Sequence, residues 1–342
     1  MKLLITGGAG FIGSSFIRHL LENQQDIEVT NFDCLTYAGN LGNLSDLCTN
    51  SRYKFVKGNI ASSKDVEAVL SQGIDAVLNF AAETHVDRSI LNPSSFVQTN
   101  VYGTQVLLEA CRKKKIERFI QISTDEVYGS LQEAGKFTEK SPISPNSPYA
   151  ASKGSGDLLI RSYYKTYKMD VIITRSCNNY GPFQFPEKLI PLMILNALED
   201  KSLPVYGDGL HIRDWIHVTD HCRALLEVLL KGQPGKVYNI GSSQEKQNLE
   251  IVRQILGILG KSEELIQFVK DRPGHDRRYA IDATLIQTEL GWSPQISFEQ
   301  GLLDTVSWYQ EKTDWIKNVL SENYLSYYQQ MYEERDTTLQ NL

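Results

Sequence analysis

Apolar and polar positions follow two rhythms along the first half of the chain. Short apolar runs at Lys2–Thr6, Ile27–Phe32, Tyr53–Lys57, Ala76–Phe80, Arg118–Ser123 and Val171–Arg175 predict six strands. Between them, apolar residues recur at helical spacing in Gly13–Asn23, Lys64–Ser71, Val97–Arg112 and Ser152–Tyr167. Runs that stay apolar on consecutive residues belong to strands covered on both faces. Strands alternating with amphipathic helices predict an α/β fold with a doubly wound parallel sheet. Ala76–Phe80 is strongly apolar and is placed at the centre of that sheet.

The rhythm changes near Asn178. Pro182, Pro186, Pro191 and Pro204 punctuate the next stretch. Short strand-like pieces stand at Leu203–Tyr206, Ile212–Val218 and Val237–Ile240, and helical patterns at Asp220–Lys231 and Leu249–Leu259. This predicts a first domain over 1–178 and a smaller mixed α/β lobe over 179–315. The helix at 220–231 is a candidate to return to the first domain. The tail, 316–342, is polar and rich in tyrosine (Tyr324, Tyr327, Tyr328, Tyr332); a packed terminal helix and a frayed end both fit it.

The chain has 342 residues, with 41% hydrophobic and 22% charged, which excludes disorder and low-complexity sequence. No window approaches the ~20 consecutive apolar residues of a membrane span. Met1-Lys2-Leu3-Leu4-Ile5 enters a strand at once, without a secretory layout. Lys+Arg 35 against Asp+Glu 41 leaves a net charge of -6, so no nucleic-acid partner is expected. The basic run Arg112-Lys113-Lys114-Lys115 closes a helical pattern, where cations complement the helix dipole. Five cysteines without C-x-x-C spacing predict reduced thiols and a cytoplasmic chain. His217 and His221 share i,i+4 spacing but lack a third ligand, so no metal is expected.

Thr6-Gly7-Gly8-Ala9-Gly10-Phe11-Ile12-Gly13 lies between the first strand and first helix. Gly8, Gly10 and Gly13 satisfy G-x-G-x-x-G, and Gly7, Gly10 and Gly13 equally satisfy G-x-x-G-x-x-G. Such glycines permit a tight turn and close approach of backbone N–H groups to a pyrophosphate, over a helix N-terminus that favours anions. Asp33 lies 20 residues past Gly13, at the end of the second strand. A carboxylate there accepts hydrogen bonds from ribose hydroxyls and repels a 2′-phosphate, so NAD is expected over NADP.

Tyr149-Ala150-Ala151-Ser152-Lys153 puts Tyr and Lys on one helical face. An ammonium beside a phenol favours the phenolate, which then accepts a proton from a substrate hydroxyl as hydride departs. A surface Tyr/Lys pair satisfies the same spacing. Ser123-Thr124-Asp125-Glu126 follows the fifth strand, and ligands of open parallel sheets bind at the carboxyl ends of strands. Asp125 and Glu126 can divide the work of acid and base, or cap a loop.

With these motifs, the chain resembles the extended short-chain dehydrogenases/reductases and, more narrowly, the nucleoside-diphosphate-sugar 4,6-dehydratases. The likeness runs from Met1 to about Trp308. Its carriers include Asp33–Asn40, Ala81–Ser89, Ser123–Gly129, Asn178–Pro182, Pro186–Pro191, Arg213-Asp214-Trp215 and Arg272–Tyr279. It implies a Rossmann domain holding NAD against Gly7, Gly10, Phe11, Ile12, Gly13, Asp33, Leu35, Thr36, Gly39, Asn59, Ile60, Ala81, Ala82, Thr99, Tyr149, Lys153 and Asn178. It implies that Tyr149 deprotonates the sugar 4-hydroxyl while hydride leaves C4, with Lys153 tuning Tyr149 and Thr124 bonding the 4-oxygen. Glu126 then removes the C5 proton, Asp125 protonates the departing 6-hydroxyl, hydride returns to C6 and a proton returns to C5. The product is a 4-keto-6-deoxy sugar nucleotide, with dTDP-glucose the expected substrate. His85, Asn179, Lys188, Leu189, Arg213, Asn248, Arg272 and His275 fall at substrate positions. Arginines suit a diphosphate, although Arg213 can also pair with Asp214 or Asp208. Tyr206 fits stacking on the base or a place in the core. Apolar residues on Val97–Arg112 and Ser152–Tyr167, together with the resemblance, imply a homodimer.

The chain departs from the pattern at Cys34, where many members carry Lys, and at Asn59, a common Asp. Ser176-Cys177 reverses the usual order, and His211, Ser242-Ser243-Gln244 and Gln247 also differ. Gly154 and Gly156 weaken their helix by up to ~1 kcal/mol each relative to Ala. These departures bear on which base and sugar are bound, so UDP-glucose or UDP-N-acetylglucosamine stand as alternative substrates. An epimerase is disfavoured by Asp125-Glu126. A non-catalytic NAD-binding scaffold need not retain Thr124, Asp125, Glu126, Tyr149 and Lys153 together.

Overall fold

A computed structural model describes residues 1–320, 326 and 328–333. Six strands follow the predicted runs closely: β1 (Lys2–Thr6), β2 (Glu28–Asp33), β3 (Tyr53–Lys57), β4 (Ala76–Asn79), β5 (Arg118–Thr124) and β6 (Val171–Ser176). The second half adds β7 (Asn178–Tyr180), β8 (Leu203–Tyr206), β9 (Ile212–His217), β10 (Val237–Ile240), β11 (Glu245–Gln247) and β12 (Ile266–Val269). Seven strands form one parallel sheet in the order β10-β6-β5-β4-β1-β2-β3. The chain reverses direction across the sheet between β1 and β4, and a crevice opens there at the strand ends.

Alternate residues of each strand serve opposite faces. Leu3 and Ile5 of β1 join Phe16, Ile17 and Leu20 of the helix Phe11–Asn23 and Leu225 and Val228 of the helix Val218–Lys231. Leu4 points the other way, into a core with Val66, Leu107, Phe119 and Ile160. That face is covered by the helices Ser63–Leu70, Thr104–Lys114 and Pro148–Tyr167. A third core, with Ile190, Ile194, Trp215, Ile251, Ile255, Phe298 and Leu302, fills the second half of the chain.

The sequence pattern places Val237–Ile240 in the smaller lobe. The structure pairs it parallel with β6, with Tyr238 and Ile240 fully buried. A strand leaving the helix Val218–Lys231, itself packed on the sheet, reaches the open β6 edge after a short connection. The continuous helix predicted at Val97–Arg112 is also interrupted: Val97–Gly103 is a wider π turn, followed by helix from Thr104. Asn100 holds that turn in place. Its Oδ1 accepts from Glu83 N at 2.9 Å, and its Nδ2 donates to Glu83 O and to Ser152 Oγ. Gly156 lets the neighbouring helix approach, since a Cβ there would stand 3.0 Å from Asn100 O. The helix Thr313–Val319 straddles the expected start of the tail at 316, and Trp315 Nε1 donates to Asn43 Oδ1 at 2.8 Å, tying that helix to the first domain. Tyr324 and Tyr327 lie outside the described residues.

Candidate active site

The crevice is a cavity of about 370 Å³ at the carboxyl ends of the central strands. Its floor is the turn between β1 and the first helix. Gly7 has φ +67°, and a Cβ on it would lie 2.6 Å from Ala81 N. A Cβ on Gly13 would drive into Gly7 O. Gly10 caps the helix without a side chain, so nothing stands over the first-turn N–H groups, which lack intrahelical acceptors. These bare donors at a positive dipole end fit a dinucleotide pyrophosphate. Asp33 closes β2 beside them, accepting from Ala9 N at 3.0 Å and Leu35 N at 2.8 Å. A carboxylate offers about four acceptor directions, so capacity remains for ribose hydroxyls. Burial holds Asp33 above the usual carboxylate range.

Of the residues expected at the cofactor, Gly7, Gly10, Phe11, Ile12, Gly13, Asp33, Thr36, Gly39, Asn59, Ile60, Ala81, Ala82, Thr99 and Asn178 line this cavity. Leu35 does not; it adopts φ +57° and contributes its N–H to Asp33. Thr124, Asp125, Glu126, Tyr149 and Lys153 line the same cavity further along, with Asn179, Lys188 and Leu189 beyond. Thr124 ends β5 and Asp125 begins a short 3₁₀ turn. Ser147 caps the next helix by accepting from Ala150 N at 3.1 Å, and Pro148 occupies its first turn. Tyr149 and Lys153 therefore sit one turn apart at its start.

Burial pushes Asp125 well above the usual carboxylate range, and the charges of Glu126 and Asp214 push the same way. Burial also raises Glu126, but Arg272, Lys188 and Arg213 oppose the rise. The two neighbouring carboxyls thus occupy different fields. Tyr149 is hydrogen-bonded with Thr124 and is pushed upward by burial and by Glu126. This differs from the expectation that Lys153 lowers the phenol: Lys153 Nζ donates to Ile122 O at 2.6 Å, and burial brings it down to about 8.

His85, Tyr206, Arg213, Asn248, Arg272 and His275 do not line the cavity. Tyr206 Oη donates to Asp87 Oδ2 at 2.9 Å, and Arg272 Nη1 donates to Asp87 Oδ1 at 3.4 Å. Arg213 donates to the carbonyls of Ile212 and Asp276 and covers the Tyr279 ring at 4.3 Å. Neither acidic partner weighed for it pairs with it: Asp208 holds Arg277, and Asp214 accepts from Ser242, Ser243 and Gln244. A buried guanidinium that makes no ion pair among the described residues suits an anionic ligand. Asn248 Oδ1 is buried without a hydrogen bond. His275 Nδ1 meets Asp271 Oδ1 at 2.6 Å, and its ring stacks on His211 at 3.7 Å. Asn179 turns its amide inward, toward His221 Nδ1 at 2.7 Å, Ser176 Oγ and Cys177 O. His217 Nδ1 accepts from Thr219 N, so the His217/His221 pair serves a helix cap and an amide contact.

Sequence reasoning missed Glu83, Thr84, Ser123, Cys177, Glu187 and Trp215, which also line the cavity. Most lie inside motifs already singled out, so the signal was the whole motif. Glu187 accepts from Tyr37 Oη and Arg88 Nε, both at 2.9 Å, while Lys188 Nζ donates to Thr84 O. These bonds join the segments around Tyr37, Thr84–Arg88 and Glu187-Lys188.

A parallel sheet with a glycine turn at its switch point, and Tyr and Lys one helical turn apart beside the β5 end, defines a Rossmann-type short-chain dehydrogenase/reductase. Residues 4–305 match the family model described as GDP-mannose 4,6 dehydratase. A dTDP-glucose 4,6-dehydratase of Shigella flexneri is 50% identical, covering 98% of this chain and 100% of the relative. A Bacillus anthracis dTDP-glucose 4,6-dehydratase solved in complex with NAD is 50% identical with TM-score 0.88, covering 93% of this chain and 99% of that one. The Streptomyces venezuelae enzyme, solved with NAD and TYD bound, is 49% identical with TM-score 0.91, covering 93% and 100%. The chain belongs to the dTDP-glucose 4,6-dehydratase family.

Proposed function

We propose that this chain is an NAD-dependent hydro-lyase that converts dTDP-glucose to its 4-keto-6-deoxy product. The observation that carries the reading is the convergence of Thr124, Asp125, Glu126 and Tyr149 in one cavity, with the two carboxyls in unlike fields. The glycine turn and Asp33 hold NAD, which when bound takes up hydride from C4 and returns it to C6. Tyr149 removes the 4-hydroxyl proton, and Thr124 bonds the 4-oxygen. The resulting ketone acidifies the C5–H bond. Glu126, its negative charge favoured by Arg272, Lys188 and Arg213, accepts the C5 proton. Asp125, whose pKa burial and its acidic neighbours raise, donates to the departing 6-oxygen, and as hydride adds to C6 Glu126 returns its proton to C5.

Lys188, Leu189, Arg213, Arg272 and His275 are assigned to the diphosphate and base, with Tyr206, Asn248, His85 and Asn179 around them. Residues 1–178 with the helix Val218–Lys231 and β10 carry the cofactor, and the rest of 179–315 carries the sugar nucleotide. A second copy is proposed on the face where Val97, Tyr102, Leu158 and Tyr167 stand exposed. No helix among the described residues is long and apolar enough to cross a membrane. Five free cysteines support the cytoplasm as the compartment.

The test is mass spectrometry after incubation with dTDP-glucose, UDP-glucose and UDP-N-acetylglucosamine in parallel. Loss of one water from dTDP-glucose alone is expected. Loss from a UDP-sugar instead would keep the chemistry and reassign the base. No loss from any of the three, with NAD bound, would overturn the reading.

A further inference from the structure

We propose that Asp157 is a positioning residue that acts through its charge on Lys153, one helical turn away behind the active-site cavity. The proposal rests on the reading of Lys153 as the partner of Tyr149 and adds the group that governs it. Asp157 lies one turn beyond Lys153 on the helix Pro148–Tyr167, so the two side chains share a face. Both are nearly sealed from solvent, at 1% and 5% exposure. An ammonium buried to that degree loses its proton readily unless an opposite charge stands near it.

Two strands of the sheet meet this carboxylate. Arg175 of β6 donates from Nε to Asp157 Oδ2 at 2.8 Å, and Ser123 faces it from the end of β5. Arg175 in turn covers the Tyr128 ring at 4.8 Å, and Tyr128 Oη donates to Asn239 Oδ1 at 2.8 Å. The carboxylate is therefore tied to the sheet through Arg175. Burial pulls Lys153 down, and Asp157 is the charge that opposes it. Asp157 and Arg175 also border a second cavity of about 210 Å³, with Arg161, Lys165 and Lys236 on its rim. Lys153 borders the first cavity and Asp157 the second, so one turn of helix separates them. A structural ion pair would need only Arg175; placing the acid one helical turn from Lys153 puts its field on that lysine as well.

The experiment titrates Lys153 directly. The NAD-free chain is pulsed with acetic anhydride across pH 6–10, and acylation of Lys153 is read by peptide mass spectrometry, which requires no turnover. Asp157→Asn and Asp157→Ser remove the charge, the second leaving space that the adjoining cavity can fill with water. Both should move the midpoint of Lys153 labelling down by about one pH unit. The alkaline limb of single-turnover sugar oxidation should move with it, while KM changes little. Asp157→Glu should restore both midpoints. A folded neutral variant with wild-type midpoints would overturn the proposal. So would failure of both neutral variants to fold beside a folded, unshifted Asp157→Glu chain, which would assign Asp157 to structure alone. Loss of sugar oxidation in wild type, with the labelling shift intact, would refute the proposed reaction and leave the Lys153–Asp157 coupling standing.

Discussion

Replacing Glu126 by Gln separates the two halves of the proposed reaction. The substitution keeps the side chain's shape but removes its ability to accept a proton. A positioned general base contributes about 10²–10⁴-fold, or ~2.7–5.4 kcal/mol of barrier at 1.36 kcal/mol per tenfold. The structure adds an opposite effect on the earlier step. The Glu126 charge is one of the influences that push Tyr149 upward, so removing it eases loss of the phenolic proton. Oxidation at C4 should therefore be unslowed, while water loss falls by about 10²–10⁴-fold. The assay is a rapid mix of holoenzyme with dTDP-glucose. Nicotinamide absorbance follows oxidation, and quenched samples weighed by mass spectrometry follow water loss. The expected record is a prompt absorbance rise that persists, with a sugar nucleotide that keeps its water. Water loss at the wild-type rate would refute the role of Glu126. Equal loss of both steps would refute the separation of roles.

Asp33→Ala deprives Ala9 N and Leu35 N of their acceptor and removes the site for ribose hydroxyls; NAD affinity should fall about 10- to 100-fold by calorimetry, and unchanged affinity would remove Asp33 from the site. Gly13→Ala drives a methyl into Gly7 O, so the chain should lose about 1–3 kcal/mol of stability and most NAD binding; a fully stable, NAD-loaded variant would contradict the packing of that turn. Asp125 has a folded-state pKa above its unfolded value, so its favourable contribution is present below the ordinary carboxylate range and is lost as pH rises through the folded value. Asp125→Asn should therefore raise the melting temperature at pH 7 but not at pH 3.5, and an unchanged melt at pH 7 would refute the buried-charge reading. Glu126 acts as a base only when ionised, and its pKa is raised, so water elimination should fail on acidification at a pH above the ordinary carboxylate range; a pH–rate limb at or below that range would count against it.

The strands of the main sheet were legible because burial on both faces writes itself as consecutive apolar residues. Lys2–Thr6 and Tyr53–Lys57 match to the residue. The interruption at Val97–Gly103 was not legible, because its cause is Asn100 reaching Glu83 and Ser152 from a helix-compatible sequence. The glycine turn with Asp33, and Tyr149 with Lys153, were legible because their spacing is local. The field on Tyr149 was not. Spacing suggested that Lys153 governs it, whereas burial, and Glu126 brought in from the end of β5, push it upward.

The sequence by itself determined which segments are strands and helices, the turn that suits a dinucleotide, and the residue types able to oxidise and dehydrate a sugar. Those properties depend on neighbours within a few positions along the chain. Tertiary structure alone decided that Val237–Ile240 completes the large sheet, that Glu187 joins Tyr37 and Arg88 over the crevice, and that Asp125 and Glu126 sit in different fields. Each depends on charges and strand edges from distant segments meeting where water is excluded. There electrostatic energies are largest and pattern along the chain carries no record of them.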